Sequence, residues 1–296
     1  MRIKIVRIVF AGLLFVDLNG CKAQKTAPVA GDAGHKPETG DYHLVWADEF
    51  NKAGAPDTAS WRFEKGFVRN QELQWYQSEN AYCKNGYLVI EGRRESKSNP
   101  GYISGSDDWK KNKDSIRYTA SSINTAGKLA WKYGRFIMRA RINISPGLWP
   151  AWWTLGVAGK WPANGEIDIM EYYNNKILAN IACGTAVPYK AEWYSKTKPA
   201  DSLGGAAWAA LFHVWRMDWD ENSISLYMDE QLMNKVELAK LVNKDGSGIN
   251  PFMQPHYMLL NLAIGGMNGG DPSGTLFPNK FEVDYVRVYQ KQVDGK

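Results

Sequence analysis

The residues best placed to do chemistry are three acids in one short stretch. Glu166, Asp168 and Glu171 lie in Trp161-Pro162-Ala163-Asn164-Gly165-Glu166-Ile167-Asp168-Ile169-Met170-Glu171-Tyr172-Tyr173. Glu166 and Asp168 are two apart, so on a strand they share a face while Ile167 and Ile169 take the other. Glu171 has the opposite parity. A regular strand would bury it unpaired among the isoleucines, which is expensive. A bulge at about Met170 removes the conflict, because one extra residue returns Glu171 to the acidic face. Glu166 and Glu171 then behave as i and i+4, with Cα atoms roughly 13 Å apart at about 3.3 Å per residue. Side chains leaning together bring the carboxyls toward roughly 5–5.5 Å. At that separation one carboxylate attacks an anomeric carbon and the other protonates the leaving oxygen, with retention. Asp168 stands between them. Three carboxylates on one short face raise at least one pKa, which keeps a protonated acid beside an ionised nucleophile.

The plain alternative is a solvated acidic strand face. It does not explain the indoles around the acids, Trp149, Trp152, Trp153 and Trp161, nor the glycine just before them. The whole chain of 296 residues holds 13 Trp, 15 Tyr and 10 Phe. Core packing uses many of these, but an aromatic platform also suits a ligand with apolar faces, such as a sugar.

The elements that must position these residues read as strands. Short apolar or alternating runs recur at Tyr87–Glu91, Gly134–Arg141, Ser223–Met228, Tyr257–Leu262 and Phe281–Tyr289. The second and last alternate with period two, as half-buried strands do. Glu230 to Val242 is the best amphipathic helical window, and it is short. Glu95 to Ala120, rich in Ser, Asn, Gly, Asp and Lys, reads as a long loop that suits either a binding wall or a tolerated insertion. Many short strands in one domain of this length predict an all-β sandwich.

The N-terminus reads as a targeting segment over 1–20. Arg2, Lys4 and Arg7 precede the apolar run Ile8–Val16, which is too short to span a bilayer. Leu18-Asn19-Gly20-Cys21 then resembles the lipobox of bacterial lipoproteins. Acylation of Cys21 would hold the protein at the bacterial cell envelope through its N-terminal lipid alone. Residues 21–42 read as a flexible tether. Formal net charge is +5, and setting aside the charged leader brings it closer to neutral. No long basic run points to nucleic acid. Cys83 and Cys183 are expected as buried free thiols. No cysteine or histidine cluster has zinc spacing, no cofactor is expected for catalysis, and the chain is expected to be a monomer.

Over roughly 43–292 the sequence resembles glycoside hydrolase family 16 in its bulged E-x-D-x-x-E form. The motif is matched by Glu166, Asp168 and Glu171. It follows Gly147-Leu148-Trp149-Pro150-Ala151-Trp152-Trp153. Further matches are Trp46-Ala47-Asp48-Glu49-Phe50, Arg69-Asn70-Gln71-Glu72-Leu73-Gln74-Trp75-Tyr76, Asn261-Leu262-Ala263-Ile264-Gly265-Gly266 and Val283–Tyr289. The resemblance implies a concanavalin-like jelly-roll sandwich with a substrate cleft on its concave sheet. It implies Glu166 as nucleophile, Asp168 as the group tuning the pair, and Glu171 as acid/base. It implies Trp153 and Trp161 against the sugar near the cleavage point, and Arg69 and Asn70 on the glycone side. Members often carry a structural calcium, for which Glu49, Gly86 and Asp284 are the candidates; an ordinary strand carboxylate is the other reading of Asp284.

One departure bears on substrate. Laminarinase-like members carry a cleft histidine where this chain has Cys183, in Ile181-Ala182-Cys183-Gly184-Thr185-Ala186. The expected substrate is a β-linked polysaccharide, a β-1,3- or mixed-linkage glucan. Galactan, agar-like and host O-glycan chains stand as the alternative. A non-catalytic sugar-binding module on the same fold is the reading of another class, against which the intact acid triplet argues. A transglycosylase would use the same covalent intermediate.

Overall fold

The computed structural model describes residues 41–292. The leader and Cys21 lie outside the described residues. The first strand, Tyr42–Asp48, opens at the end of the stretch read as tether.

Two sheets face each other. The larger has ten strands and the smaller seven. The smaller runs, in spatial order, Ala191–Pro199, Lys176–Gly184, Glu166–Tyr173, Leu148–Gly156, His256–Ile264, Ser122–Asn124 and Arg62–Phe63. All of its pairings are antiparallel. This is the expected sandwich. Its core lies between the sheets. Trp152, Ile167, Ile169, Leu260 and Leu262 from the smaller sheet meet Leu88, Phe136, Met138, Trp215, Met217 and Phe281 from the larger, all essentially excluded from water. Alternation produces this packing: away from the bulges, every second residue of a strand faces inward.

Gly134–Arg141 and Ser223–Met228 form strands with the expected bounds. Two expectations are corrected. The window Glu230–Val242 is not a helix but a strand, Gln231–Glu237, followed by a short 3-10 turn, Leu238–Lys240. Asp229 and Glu230 both adopt positive φ, 47° and 63°, and so make a tight hairpin turn into Ser223–Met228. Its apolar residues then pair across strands, as Ile224 with Val236 does. The long loop is also shorter than read. Strand Tyr87–Ser98 continues into it and Ser115–Ala120 is itself a strand, leaving 99–114 as the loop.

Cys83 and Cys183 are buried and unpaired. Among the described residues no helix is long and apolar enough to cross a membrane.

Candidate active site

The bulge is where the parity conflict requires it. Asp168 opposes Asn180, while Glu171 opposes Leu178, so three residues on the catalytic strand match two on its neighbour. On the other side Asp168 opposes Trp153 and Met170 opposes Trp152. Glu166, Asp168 and Glu171 therefore all project from the outer face of the seven-stranded sheet, while Ile167, Ile169 and Met170 fill the core. Gly165, just before the strand, has φ +79°, and a Cβ there would stand 2.9 Å from Pro251 Cβ. Only glycine lets the loop from Trp161 turn this closely into Glu166.

Each carboxyl is held by neutral N–H donors. The Trp161 indole donates to Glu166 Oε2. The Trp149 indole donates to Glu171 Oε1 at 2.7 Å. The Asn180 amide donates to both Asp168 Oδ2 at 3.0 Å and Glu171 Oε2 at 2.9 Å, so one nitrogen ties two acids together. Glu166 and Asp168 also hydrogen-bond to each other, which needs a proton between them. Glu166 is half-buried, and Asp168 and Glu171 are buried.

This setting raises all three pKa values, and no cation acts against the rise. Burial is the largest cause for each. It lifts Asp168 from 3.8 to about 6 against the Asn180 and Glu166 hydrogen bonds. Burial and then the Asp168 charge push Glu171 well above the usual carboxylate range, with Trp149 and Asn180 opposing. Burial and then Asp168 do the same to Glu166, where the Trp161 donor favours the anion. Chemically, the arrangement offers a proton donor and a carboxylate nucleophile on one floor.

Adjacent residues 152 and 153 split as strand parity requires. Trp152 is wholly in the core, while Trp153 shares the face of Asp168. Trp153 is nonetheless only 8% exposed. The Arg69 guanidinium lies 5.2 Å from its ring, and its indole donates to Asn261 Oδ1 at 2.7 Å. Asn261 in turn donates to Tyr76 Oη at 3.1 Å. Arg69 is paired with Glu64. Asn70 is exposed, and its carbonyl accepts from Met267 N at 2.9 Å. Trp161, at 38% exposure, is the open indole beside the acids.

The sequence reading misses Asn180. Its strand is legible, but the register that sets it against Asp168 is not. Cys183 is buried, as expected of a free thiol: its side chain lies in the core, and Ala182 and Asn180 take the outer face. Its identity therefore does not touch substrate directly. The residues named for calcium are committed elsewhere. Glu49 makes a two-point ion pair with Arg287 at 2.7 and 2.8 Å, and Asp284 pairs with Arg139 at 2.6 Å. Gly86 sits in a turn at φ +80°. Among the described residues no three acidic, histidine or cysteine side chains converge for a metal. For this set to hold a calcium ion, both arginine pairs would have to open.

Comparison with known proteins gives the family. Residues 69–287 match the family model for glycosyl hydrolases family 16. The chain is 34% identical over 265 residues to a beta-glucanase of Rhodothermus marinus, covering 84% of this chain and 85% of that protein. A solved structure from work on endo-acting O-glycanases, by which prominent members of the human gut microbiota initiate mucin breakdown, superposes with a TM-score of 0.77. It is 34% identical and covers 86% of this chain and 92% of that one. The laminarinase catalytic domain of Thermotoga maritima superposes with a TM-score of 0.70 at 31% identity, over 85% of this chain and 99% of that one. The chain belongs to glycosyl hydrolases family 16 and is an endo-acting glycoside hydrolase.

Proposed function

We propose that the protein is a retaining endo-β-glycanase that cuts a β-1,3- or mixed-linkage glucan with Glu166 as nucleophile and Glu171 as acid/base. The observation that carries this is the bulge, which brings both glutamates to one face with Asp168 between them. In the first step Glu166 attacks the anomeric carbon and the glycosidic C–O bond breaks. Glu171 gives its proton to the departing oxygen. In the second step Glu171 takes a proton from water, which displaces Glu166 with a second inversion. The Trp161 donor steadies the Glu166 anion. Burial and then the Asp168 charge raise the Glu171 pKa, which favours its protonated form.

A second substrate reading rests on one observation: the O-glycanase structure superposes at 0.77, against 0.70 for the laminarinase. On that reading the chain cut is a galactose-containing host O-glycan. Product analysis on β-1,3-glucan, mixed-linkage glucan, galactan and mucin O-glycans separates the two. Release of oligosaccharides from the glucans alone supports the first reading, and release from the glycans alone replaces it with the second. Inertness toward all four would overturn both.

A further inference from the structure

The seven-stranded sheet extends the floor of the site well past the carboxylates. Directly opposed residues of antiparallel strands share a face. Glu166 is opposed by Ala182, and Ala182 by Trp193 on the edge strand Ala191–Pro199. In the other direction Glu166 is opposed by Leu155, and Leu155 by Tyr257. Trp193, Ala182, Glu166, Leu155 and Tyr257 therefore form one row across the sheet on the face that carries the acids. Trp193 stands two strands from Glu166, roughly 10 Å at about 4.8 Å per strand.

The two ends of this floor differ. Toward Tyr257 the aromatic surface is covered, since Trp153 lies beneath Arg69. Toward the edge strand it is open. Trp193 is 46% exposed, and its indole has neither a ring partner nor a side-chain hydrogen bond. Its neighbour Tyr194 turns the other way and donates to the Lys240 carbonyl at 2.8 Å, which fixes the facing of the strand. Strand-edge protection does not call for this indole, because Lys196 and Lys198 already place charge there. A large uncommitted apolar ring in line with a catalytic carboxylate suits a ligand with an apolar face.

We propose that Trp193 is a sugar-stacking subsite at the end of the cleft away from Arg69. It takes a pyranose of the same chain about two strands beyond the cleavage point. With Arg69 on the glycone side, this sugar belongs to the leaving-group side. The inference rests on the endo-glycanase reading above and adds to it a place where chain length is sensed.

The test compares wild type, Trp193→Phe and Trp193→Ala on the polymer that wild type cleaves and on a short aryl glycoside. The leaving group of the aryl glycoside ends before Trp193. For Trp193→Ala, kcat/KM on polymer falls about tenfold, mainly through KM, the size of one stacking contact. Activity on the aryl glycoside is unchanged, Trp193→Phe keeps most of the polymer activity, and the melting temperature holds. Wild-type polymer kinetics in Trp193→Ala would overturn the subsite, and so would an equal loss on both substrates. A wild type inert on every β-linked polymer would instead sink the endo-glycanase reading, and the subsite with it.

Discussion

The two sheets treat their carboxylates in opposite ways. On the ten-stranded sheet, acids are matched by arginines from neighbouring strands. Arg135 meets Asp218 at 2.7 Å, Arg141 meets Glu282 at 2.7 Å, and Arg139 meets Asp284 at 2.6 Å. Two of these pairs are directly opposed in the ladder. On the outer face of the seven-stranded sheet, three acids stand together with no cation among the groups that shift them. Their partners are indole and amide N–H groups instead. The difference is chemical. A guanidinium locks a carboxylate in its ionised form, whereas a neutral donor orients it and leaves its proton free to move. One sheet uses acids to join strands, and the other keeps them available for proton transfer at a cost in stability.

The largest expected effect removes a cleft acid. Glu166→Gln and Glu171→Gln should each lower kcat by about 10³-fold or more. Melting should be unchanged or higher, because a desolvated charge is gone. Near-wild-type turnover in either variant would break the contrast between the sheets. Next is the neutral donor. Trp161→Phe removes the N–H on Glu166 from a half-exposed indole. It should cost about 10- to 100-fold in kcat, as for a hydrogen bond to a charged group, with little change in melting. A large melting shift at unchanged kcat would make the indole structural.

Asp168 tests the stability side. Its pKa is raised by burial from 3.8 to about 6, so the folded protein holds this proton where the unfolded chain has lost it. The contribution of this group to stability is therefore complete below about pH 4 and declines as pH rises through about 6. Asp168→Asn should raise the melting temperature by a few degrees at pH 7 and leave it unchanged at pH 3, while activity falls. A variant less stable at pH 7 would mean that the buried charge is favourable where it stands. The smallest effect belongs to the other sheet. Arg139→Ala should cost about 1 kcal/mol or less and leave kcat intact. Neither added calcium nor a chelator should move the melting curve, since Glu49 and Asp284 already have arginine partners. A calcium-dependent rise in melting would show that those pairs open for the ion.

Much of this was legible in the sequence, for reasons that differ by residue. The bulge followed from one conflict, the parity of Glu171 against Ile167 and Ile169. Gly134–Arg141 announced itself through strict alternation, which packing against a single core requires. The strand at Gln231–Glu237 did not. Leu232, Val236 and Ala239 also fit a helical spacing, and the turn before it uses Asp229 and Glu230 where glycine or asparagine would have signalled positive φ. Asn180 and Trp193 were hidden for a deeper reason. Their roles depend on which residue of the next strand lies opposite, and cross-strand register is a property of the assembled sheet. The Arg69 cover over Trp153 joins two segments more than eighty residues apart, and neither carries a local sign of the other.

The central claim is that Glu166 attacks carbon directly while Glu171 moves the proton. The most direct measurement is proton NMR of the products during the first minutes of hydrolysis, before mutarotation mixes the anomers. The account predicts that the new reducing end appears first as the β-anomer and that the α-anomer follows by equilibration. An α-anomer formed first would require water, not Glu166, as the attacking group, and would contradict it.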